Sequence, residues 1–130
     1  MRFWRLLPVI LLAASCAACG ISTPSNNTVE TVPGTVPVGS NDVHNFSLSK
    51  MGEVEVTITS LAPTPSASIG MALGQQFSGG CTLLQGYVSP VVVNRVVQFG
   101  ALQKGGYCLI VYDTGILTAP TTYTAKISHP

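Results

Sequence analysis

The segment EVEVTIT at residues 53–59 alternates strictly between polar and apolar side chains. Successive side chains of a β-strand point to opposite faces, so Val54, Val56 and Ile58 would share one face. Strict alternation with β-branched residues is typical of an antiparallel strand that has one face buried and the other in solvent. The segment therefore predicts a sheet whose apolar face is covered by a second layer.

Further stretches of the chain have the same strand character and are separated by turns rich in glycine and proline. They lie at residues 44–48, 69–73, 81–88, 91–102, 107–112 and 121–128. The stretch at 91–102 is expected to bulge or bend near Asn94 and Gly100, and no stretch after residue 20 has a helical period. We therefore expect an all-β domain, a two-sheet antiparallel jelly-roll-like sandwich of seven or eight strands.

The first twenty residues differ from the rest and have the order of a secretory signal. Arg2 and Arg5 give a basic start, residues 6–14 form an apolar run, and small residues with two cysteines follow. The apolar run is nine residues long, whereas a membrane-spanning helix needs about 20. We expect residues 1–18 to be a signal peptide of the lipoprotein type rather than a permanent membrane span.

Cys16 and Cys19 end this segment in a pattern that resembles the signals of bacterial lipoproteins. In those signals a cysteine after small residues becomes the lipid-modified first residue of the mature chain, with palmitate among its acyl groups. Cys19 is the preferred anchor, because modification at Cys16 would leave Cys19 as an odd thiol. The Gly20 that follows resembles outer-membrane sorting, so we expect a protein anchored there and facing the periplasm or the surface. A soluble secreted or periplasmic protein is the alternative.

The remaining two cysteines, Cys81 and Cys108, lie in the strand-rich part of the chain. An exported protein meets an oxidising compartment, so we expect them to form a disulfide bond rather than two free buried thiols. In the chain-entropy model a loop of this length stabilises the fold by about 3–4 kcal/mol. Such a contribution is large for a small domain with a modest core.

Residues 19–40 are rich in serine, threonine, proline and glycine. Such a composition buries little apolar surface to offset the entropy of ordering, which predicts a tether. An edge strand at residues 36–38 is the alternative for its end. The folded domain is accordingly expected at residues 41–130.

Charge and motif content exclude several classes of function. The chain after the signal has four basic and five acidic side chains, so it lacks the basic stripe that nucleic-acid binding needs. Glu53 and Glu55 are interpreted as a solvated strand face rather than an acid–base pair. His44 and His129 have no neighbouring ligands at metal-site spacing in the sequence. We therefore predict no catalytic, cofactor-binding or metal-binding residue.

The stretch at 107–112 is apolar on both faces, with Ile110 and Tyr112 on the same side as Cys108. The preferred interpretation is a central strand whose second face is covered by the disulfide and a loop. The alternative is that Ile110 and Tyr112 form an exposed apolar patch that binds a partner.

Several of these segments together resemble the bacterial pre-peptidase C-terminal domain family over about residues 42–130. The matching pieces are Phe46-x-Leu48, Gly52-x-Val54-x-Val56-x-Ile58, IGMALG at 69–74, Cys81, GYCLIVYD at 106–113 and TYTAKI at 122–127. The resemblance implies a jelly-roll-like sandwich that is mostly non-catalytic and often accompanies exported enzymes. Many members carry an Asp-x-Asp element where this chain has SIGM at 68–71, so a calcium role tied to those acids is not implied.

Together these observations predict a non-catalytic binding module of the cell envelope, held by a lipid anchor and recognising a protein or glycan. Recognition is expected through loops on the sandwich, at residues 74–80 and 113–120. A structural, self-assembling envelope protein is the second hypothesis. An enzyme, or an accessory domain of one, is the third, because no residues can be assigned to catalytic steps.

Overall fold

Eight β-strands make up most of the computed structural model, which describes residues 26–64 and 67–130, the side chains of Gln85 and Tyr87 excepted. The strands are β1 (Thr28–Val36), β2 (Asn41–Leu48), β3 (Gly52–Ala62), β4 (Ile69–Phe77), β5 (Gly80–Val88), β6 (Val96–Leu102), β7 (Gly105–Asp113) and β8 (Thr121–His129). The described residues contain no α-helix. The all-β prediction is confirmed.

The strands form two four-stranded sheets, which we name sheet A and sheet B. Sheet A has the order β1-β8-β3-β6 and sheet B the order β2-β7-β4-β5. Every neighbouring pair is antiparallel. This confirms the predicted two-sheet antiparallel sandwich.

The core lies between the inward faces of the two sheets. Val54, Val56 and Ile58 of β3 are completely buried, as the alternation at 53–59 predicts. Sheet B contributes Leu73 from β4 and Leu109 from β7, which are also completely buried. Each such side chain stabilises the fold by about 1.5–3 kcal/mol relative to an exposed one, so the facing apolar layers supply the driving force for the sandwich.

The disulfide between Cys81 and Cys108 is confirmed. It joins β5 to β7, which lie on either side of β4 in sheet B. The bridge crosses over Gly74 of β4, where an added Cβ would collide with Cys81 Sγ and lie 3.0 Å from Cys108 Sγ. A glycine at this position therefore lets the two sulfur atoms meet.

The prediction that residues 19–40 form a tether is wrong for residues 28–36, which are strand β1. This strand pairs with β8 along its whole length, from Thr28 opposite His129 to Val36 opposite Thr121. Val32 and Val36 lie an even number of residues apart and are buried on the same face. The hydrogen bonds to β8 order this segment although its composition is poor in apolar residues, so the folded domain includes β1 as well as residues 41–130.

Polar contacts from sheet B also hold β1 in place. Asp42 of β2 accepts hydrogen bonds at Oδ2 from the Thr35 backbone N–H at 3.2 Å and from the Tyr123 hydroxyl at 3.0 Å. Burial of the Tyr123 ring and the neighbouring Asp42 carboxylate both raise the pKa of Tyr123. The Tyr123 hydroxyl therefore stays protonated and remains a hydrogen-bond donor. The edge strands β1 and β2 are thus tied together although they belong to different sheets.

The predicted strand at 91–102 begins at Val96 instead. The preceding residues form a turn, in which Asn94 has a φ of 65° and donates its backbone N–H to Ile58 O at 2.7 Å. The predicted irregularity near Gly100 is present: Val54 pairs with Gly100, but Glu55 pairs with Gln98. Gly100 has a φ of 79°, which a glycine adopts without strain.

Residues 74–80 form a hairpin and not the predicted loop. β4 continues to Phe77 and β5 starts at Gly80, so the connection is only Ser78-Gly79. Both residues have positive φ values, 40° and 83°, as in the tight hairpin turns that match the twist of paired strands. The glycine-rich composition reflects this turn rather than an extended loop.

The antiparallel order places all longer connections at one end of the sandwich. We name this end, formed by residues 37–40, 63–64, 67–68, 89–95 and 114–120, the loop end. The opposite end holds the short turns at 49–51, 78–79 and 103–104 together with the start of β1. We name it the turn end.

Candidate functional site

A cleft of about 300 Å³ opens at the loop end between the β3–β4 loop and the β7–β8 loop. Its lining residues are Pro63, Thr64, Ala67, Ser68, Ile116, Leu117, Thr118, Ala119 and Thr121. None of these described lining residues carries a charge, and four of them carry a hydroxyl group. One wall of the cleft comes from the predicted recognition loop at 113–120.

The side chain of Asp113 holds that wall in shape. Its Oδ1 accepts hydrogen bonds from the backbone N–H groups of Gly115, Ile116 and Leu117 at 2.8, 3.1 and 3.1 Å. Its Oδ2 accepts from the N–H of Gly39 at 2.7 Å. The bond from Gly39 contributes most to lowering the pKa of this carboxyl, so Asp113 stays ionised and keeps all four donors. The loop is therefore organised before any ligand arrives.

The second wall is fastened to the first at the base of the cleft. Ser68 Oγ lies 2.8 Å from Thr114 Oγ1. The Thr114 hydroxyl also donates a hydrogen bond to the backbone oxygen of Ser68 at 3.1 Å. These contacts fix the separation of the two loops at their roots and leave the mouth open.

The mouth of the cleft combines exposed apolar and hydroxyl groups. Ile116 is 68% exposed, and Thr64 and Thr118 add hydroxyls beside it. Hydroxyls donate and accept hydrogen bonds without a net charge. The arrangement suits an uncharged ligand segment that offers both apolar and hydrogen-bonding groups.

A second, shallower cleft of about 470 Å³ lies at the loop end beside the β5–β6 connection. Its lining includes Pro90, Val92, Arg95 and Val96. Val92 and Val96 are both more than half exposed. This recess, unlike the first, is lined by an arginine.

The residues considered as an apolar patch, Ile110 and Tyr112, lie on the outer face of sheet B and are half-buried. β7 is a central strand, as the preferred interpretation requires. Ile110 pairs with Val43, which is 42% exposed, so the two side chains extend one apolar strip. The Tyr112 ring covers Gly70 of the neighbouring strand.

A histidine–glutamate cluster at the turn end was missed by the sequence analysis. Glu30 Oε1 lies 2.7 Å from His129 Nε2, and Glu30 Oε2 lies 3.5 Å from His44 Nε2. Partial burial opposes ionisation of Glu30, but the bonds from His129 and His44 outweigh it and lower its pKa. The spacing of His44 and His129 in the sequence does not indicate this shared carboxylate partner.

The sequence does not predict this cluster, because its three members are far apart in sequence and Glu30 lies within the predicted tether. It joins β1 and β8 of sheet A to β2 of sheet B. The described residues include no group of three or more His, Cys, Asp or Glu side chains arranged to hold a metal ion. Its geometry is that of a hydrogen-bonded link between the sheets.

The predicted lipid-anchor residues, Cys16 and Cys19, lie outside the described residues. Among the residues that the structure does describe, no helix has the length and apolar character needed to span a membrane.

The fold defines an all-β sandwich whose ordered connecting loops gather at one end. No family model matches the sequence, and no curated protein matches it. Among solved structures, the chain is similar to the crystal structure of the Yersinia pseudotuberculosis-derived mitogen, with a TM-score of 0.59 and 11% sequence identity. The match covers 80% of this chain and 87% of that chain. At this identity the likeness supports the fold alone.

Proposed function

We propose that this protein is a non-catalytic binding module of the bacterial cell envelope, held by a lipid at Cys19, that takes an uncharged part of a protein or glycan into the cleft at the loop end. The observation that carries the proposal is the loop organised by Asp113, which forms one wall of that cleft. Binding loops that are ordered in advance lose less entropy when a ligand arrives.

The chemistry of the cleft supports binding rather than catalysis. Its described lining offers hydroxyl groups but no histidine or carboxylate that could accept a proton from them. Asp113 stands nearby, but its two oxygens already accept four backbone N–H bonds. A hydroxyl without a base is a weak nucleophile and a good hydrogen-bonding group.

Capture from envelope extract tests this function with the full processed chain. The test variant is Thr118→Arg, which places a long cation at the exposed wall of the cleft. The control is Thr31→Arg, which changes an exposed threonine of β1 away from the cleft. We expect wild type and Thr31→Arg to retain the same component and Thr118→Arg to lose it. Equal capture by both variants would contradict the proposed site.

A self-assembling envelope protein is the second candidate, and the apolar strip of Val43 and Ile110 on sheet B favours it. Sedimentation velocity of the wild type and of Val43→Glu separates the two ideas. A wild-type oligomer that the variant dissociates supports self-assembly through this face. A wild-type monomer over the accessible concentration range removes the second candidate.

The lipid anchor has its own test. A disulfide in the folded domain fits an oxidising, exported location. Mass spectrometry of the processed N-terminal peptide is expected to find a diacylglyceryl-modified and acylated Cys19. Modification at Cys16 would move the anchor, and an unmodified N-terminus would remove it.

A further inference from the structure

The start of β1 fixes which end of the sandwich lies nearest the anchor. Thr28 is at the turn end, opposite His129 at the end of β8. Nine residue steps separate Cys19 from Thr28, and a fully extended chain of that length spans about 30 Å. If Cys19 carries the lipid, as proposed above, the turn end is the part of the domain closest to the membrane.

The turn end presents an exposed aromatic side chain. Phe77 is 73% exposed, more than any other large hydrophobic side chain among the described residues. It sits at the tip of the β4–β5 hairpin, next to the tight turn at Ser78-Gly79. Transfer of an exposed apolar ring from water into the interface of a bilayer is favourable.

Two lysines lie on the other short turns of the same end. Lys50 and Lys104 are both exposed, and they are two of the four basic side chains that follow the signal. Each lysine near an anionic membrane surface contributes about 1 kcal/mol of attraction. The turns of this end therefore carry cationic side chains that anionic lipid headgroups attract.

Acidic side chains at the turn end are few and partly engaged. The carboxylate of Glu30 is bonded to His129 and His44, while Glu53 lies on the outer face of sheet A. Asp113, by contrast, is bonded to Gly39 at the loop end. The two lysines lie on the turns themselves, whereas Glu30 and Glu53 lie on the strands behind them.

We propose that the turn end of the sandwich rests on an anionic lipid surface, with Phe77 entering the interface and Lys50 and Lys104 over the headgroups. This inference rests on the lipid anchor of the proposed function and adds an orientation to it. The three short turns then face the membrane, and both clefts of the loop end project away from it. The attraction of a single ring and two lysines is weak, so it orients a tethered domain rather than recruiting a free one.

Tryptophan fluorescence of the lipidated protein in vesicles tests this orientation. The only tryptophan, Trp4, lies in the predicted signal, so Phe77→Trp supplies a unique probe in the processed chain. The vesicles contain phosphatidylethanolamine and phosphatidylglycerol, with or without brominated acyl chains. We expect blue-shifted emission that brominated lipid quenches by at least half.

Ile116→Trp is the matched control, because it places the probe on an equally exposed position of the loop end. Its emission should stay red-shifted and unquenched in the same vesicles. Equal quenching at the two positions, or quenching only at position 116, would overturn the orientation.

Charge is tested by Lys50→Glu with Lys104→Glu in the Phe77→Trp background. The pair should reduce quenching at least twofold in vesicles with phosphatidylglycerol, whereas Arg95→Glu at the loop end should leave it unchanged. Vesicle co-sedimentation is measured in parallel. A protein that co-sediments but shows no quenching contradicts the orientation alone, whereas a protein that does not co-sediment overturns the anchor and the orientation together.

Discussion

Asp113 illustrates how one side chain organises a connecting loop in this protein. Its carboxylate accepts backbone N–H bonds from both the β7–β8 loop and the β1–β2 turn. A carboxylate with several backbone donors favours its ionised form, because each bond stabilises the charge. The sequence placed Asp113 at the edge of a loop, but only the folded chain brings Gly39 to it across 74 residues.

Replacing Asp113 with alanine is expected to loosen the cleft wall without unfolding the sandwich. The backbone amides of Gly115, Ile116 and Leu117 lose their common acceptor, so their hydrogen exchange should accelerate at least tenfold. The amides of β3 should keep their protection. A control, Glu55→Ala, removes a carboxylate from a strand face and should change neither region. Unaltered exchange in the loop of Asp113→Ala would show that other contacts order it.

Glu30 gives a pH-dependent contribution whose direction follows from its partners. Its pKa is lowered from the ordinary value of 4.5 in the folded state, so the unfolded chain binds the proton more readily. The stabilisation is therefore present above the ordinary pKa and is lost as pH falls through the folded-state pKa.

The variant Glu30→Gln keeps the shape of the side chain and removes its charge. We expect a loss of about 1 kcal/mol in unfolding free energy at pH 7, as for a charge-assisted hydrogen bond in a partly exposed site. The difference from wild type should shrink below pH 4.5. Urea denaturation across pH measures it, with Glu55→Gln as the control. A difference that persists at pH 2 would contradict a contribution from the ionised Glu30 carboxylate.

At the scale of single elements, alternation was the dependable signal. Val54, Val56 and Ile58 repeat every second residue and are all buried, because a half-buried strand must alternate. β1 could not be predicted in the same way. Its ordering comes from pairing with β8 and from the contact of Asp42 with Thr35. Both contacts involve residues outside the segment, so its own composition does not indicate them.

Strand β1 is expected to contribute to stability as a full member of sheet A. Val36→Ala should lower the unfolding free energy by about 2 kcal/mol, since the side chain is completely buried. Val38→Ala, two residues further and half exposed, should change it by less than 0.5 kcal/mol. Thermal or urea unfolding gives both values. Equal effects would mean that the segment is not packed as described.

The disulfide and the strand beneath it form a second unit at this scale. Gly74→Ala would place a methyl group against Cys81 Sγ and 2.9 Å from Thr82 O. We expect a loss of about 1–3 kcal/mol from this overpacking. Gly80→Ala is the control, since its added Cβ would meet only Phe77 O at 3.6 Å. A stable Gly74→Ala protein with an intact disulfide would show that β4 has room to move.

At the scale of the whole molecule, the antiparallel order separates the two proposed functions in space. The strands run between an end of short turns and an end of long loops, and the start of β1 lies at the former. The sequence predicted the sandwich and the loop at 113–120, but it also assigned recognition to residues 74–80. The loop expected there is a hairpin, because composition does not distinguish a two-residue turn from a loop, nor does it say at which end a connection lies.

The pairing of β4 with β7 also explains why the sequence alone does not predict the cleft. Ser68 and Thr114 meet across 46 residues, and their contact depends on the register of β4 against β7. Ile69 opposite Asp113 sets that register. Hydroxyl residues are common on exported β-proteins, so nothing in their local pattern marked these two as the base of a cleft.

The central claim is that the loop-end cleft is the binding site, and affinity for the captured envelope component tests it most directly. Titration calorimetry should give the same Kd for wild type and Thr31→Arg. Thr118→Arg should weaken binding at least tenfold, which corresponds to about 1.4 kcal/mol. An unchanged Kd for Thr118→Arg, in a protein that folds and forms its disulfide, would contradict the account.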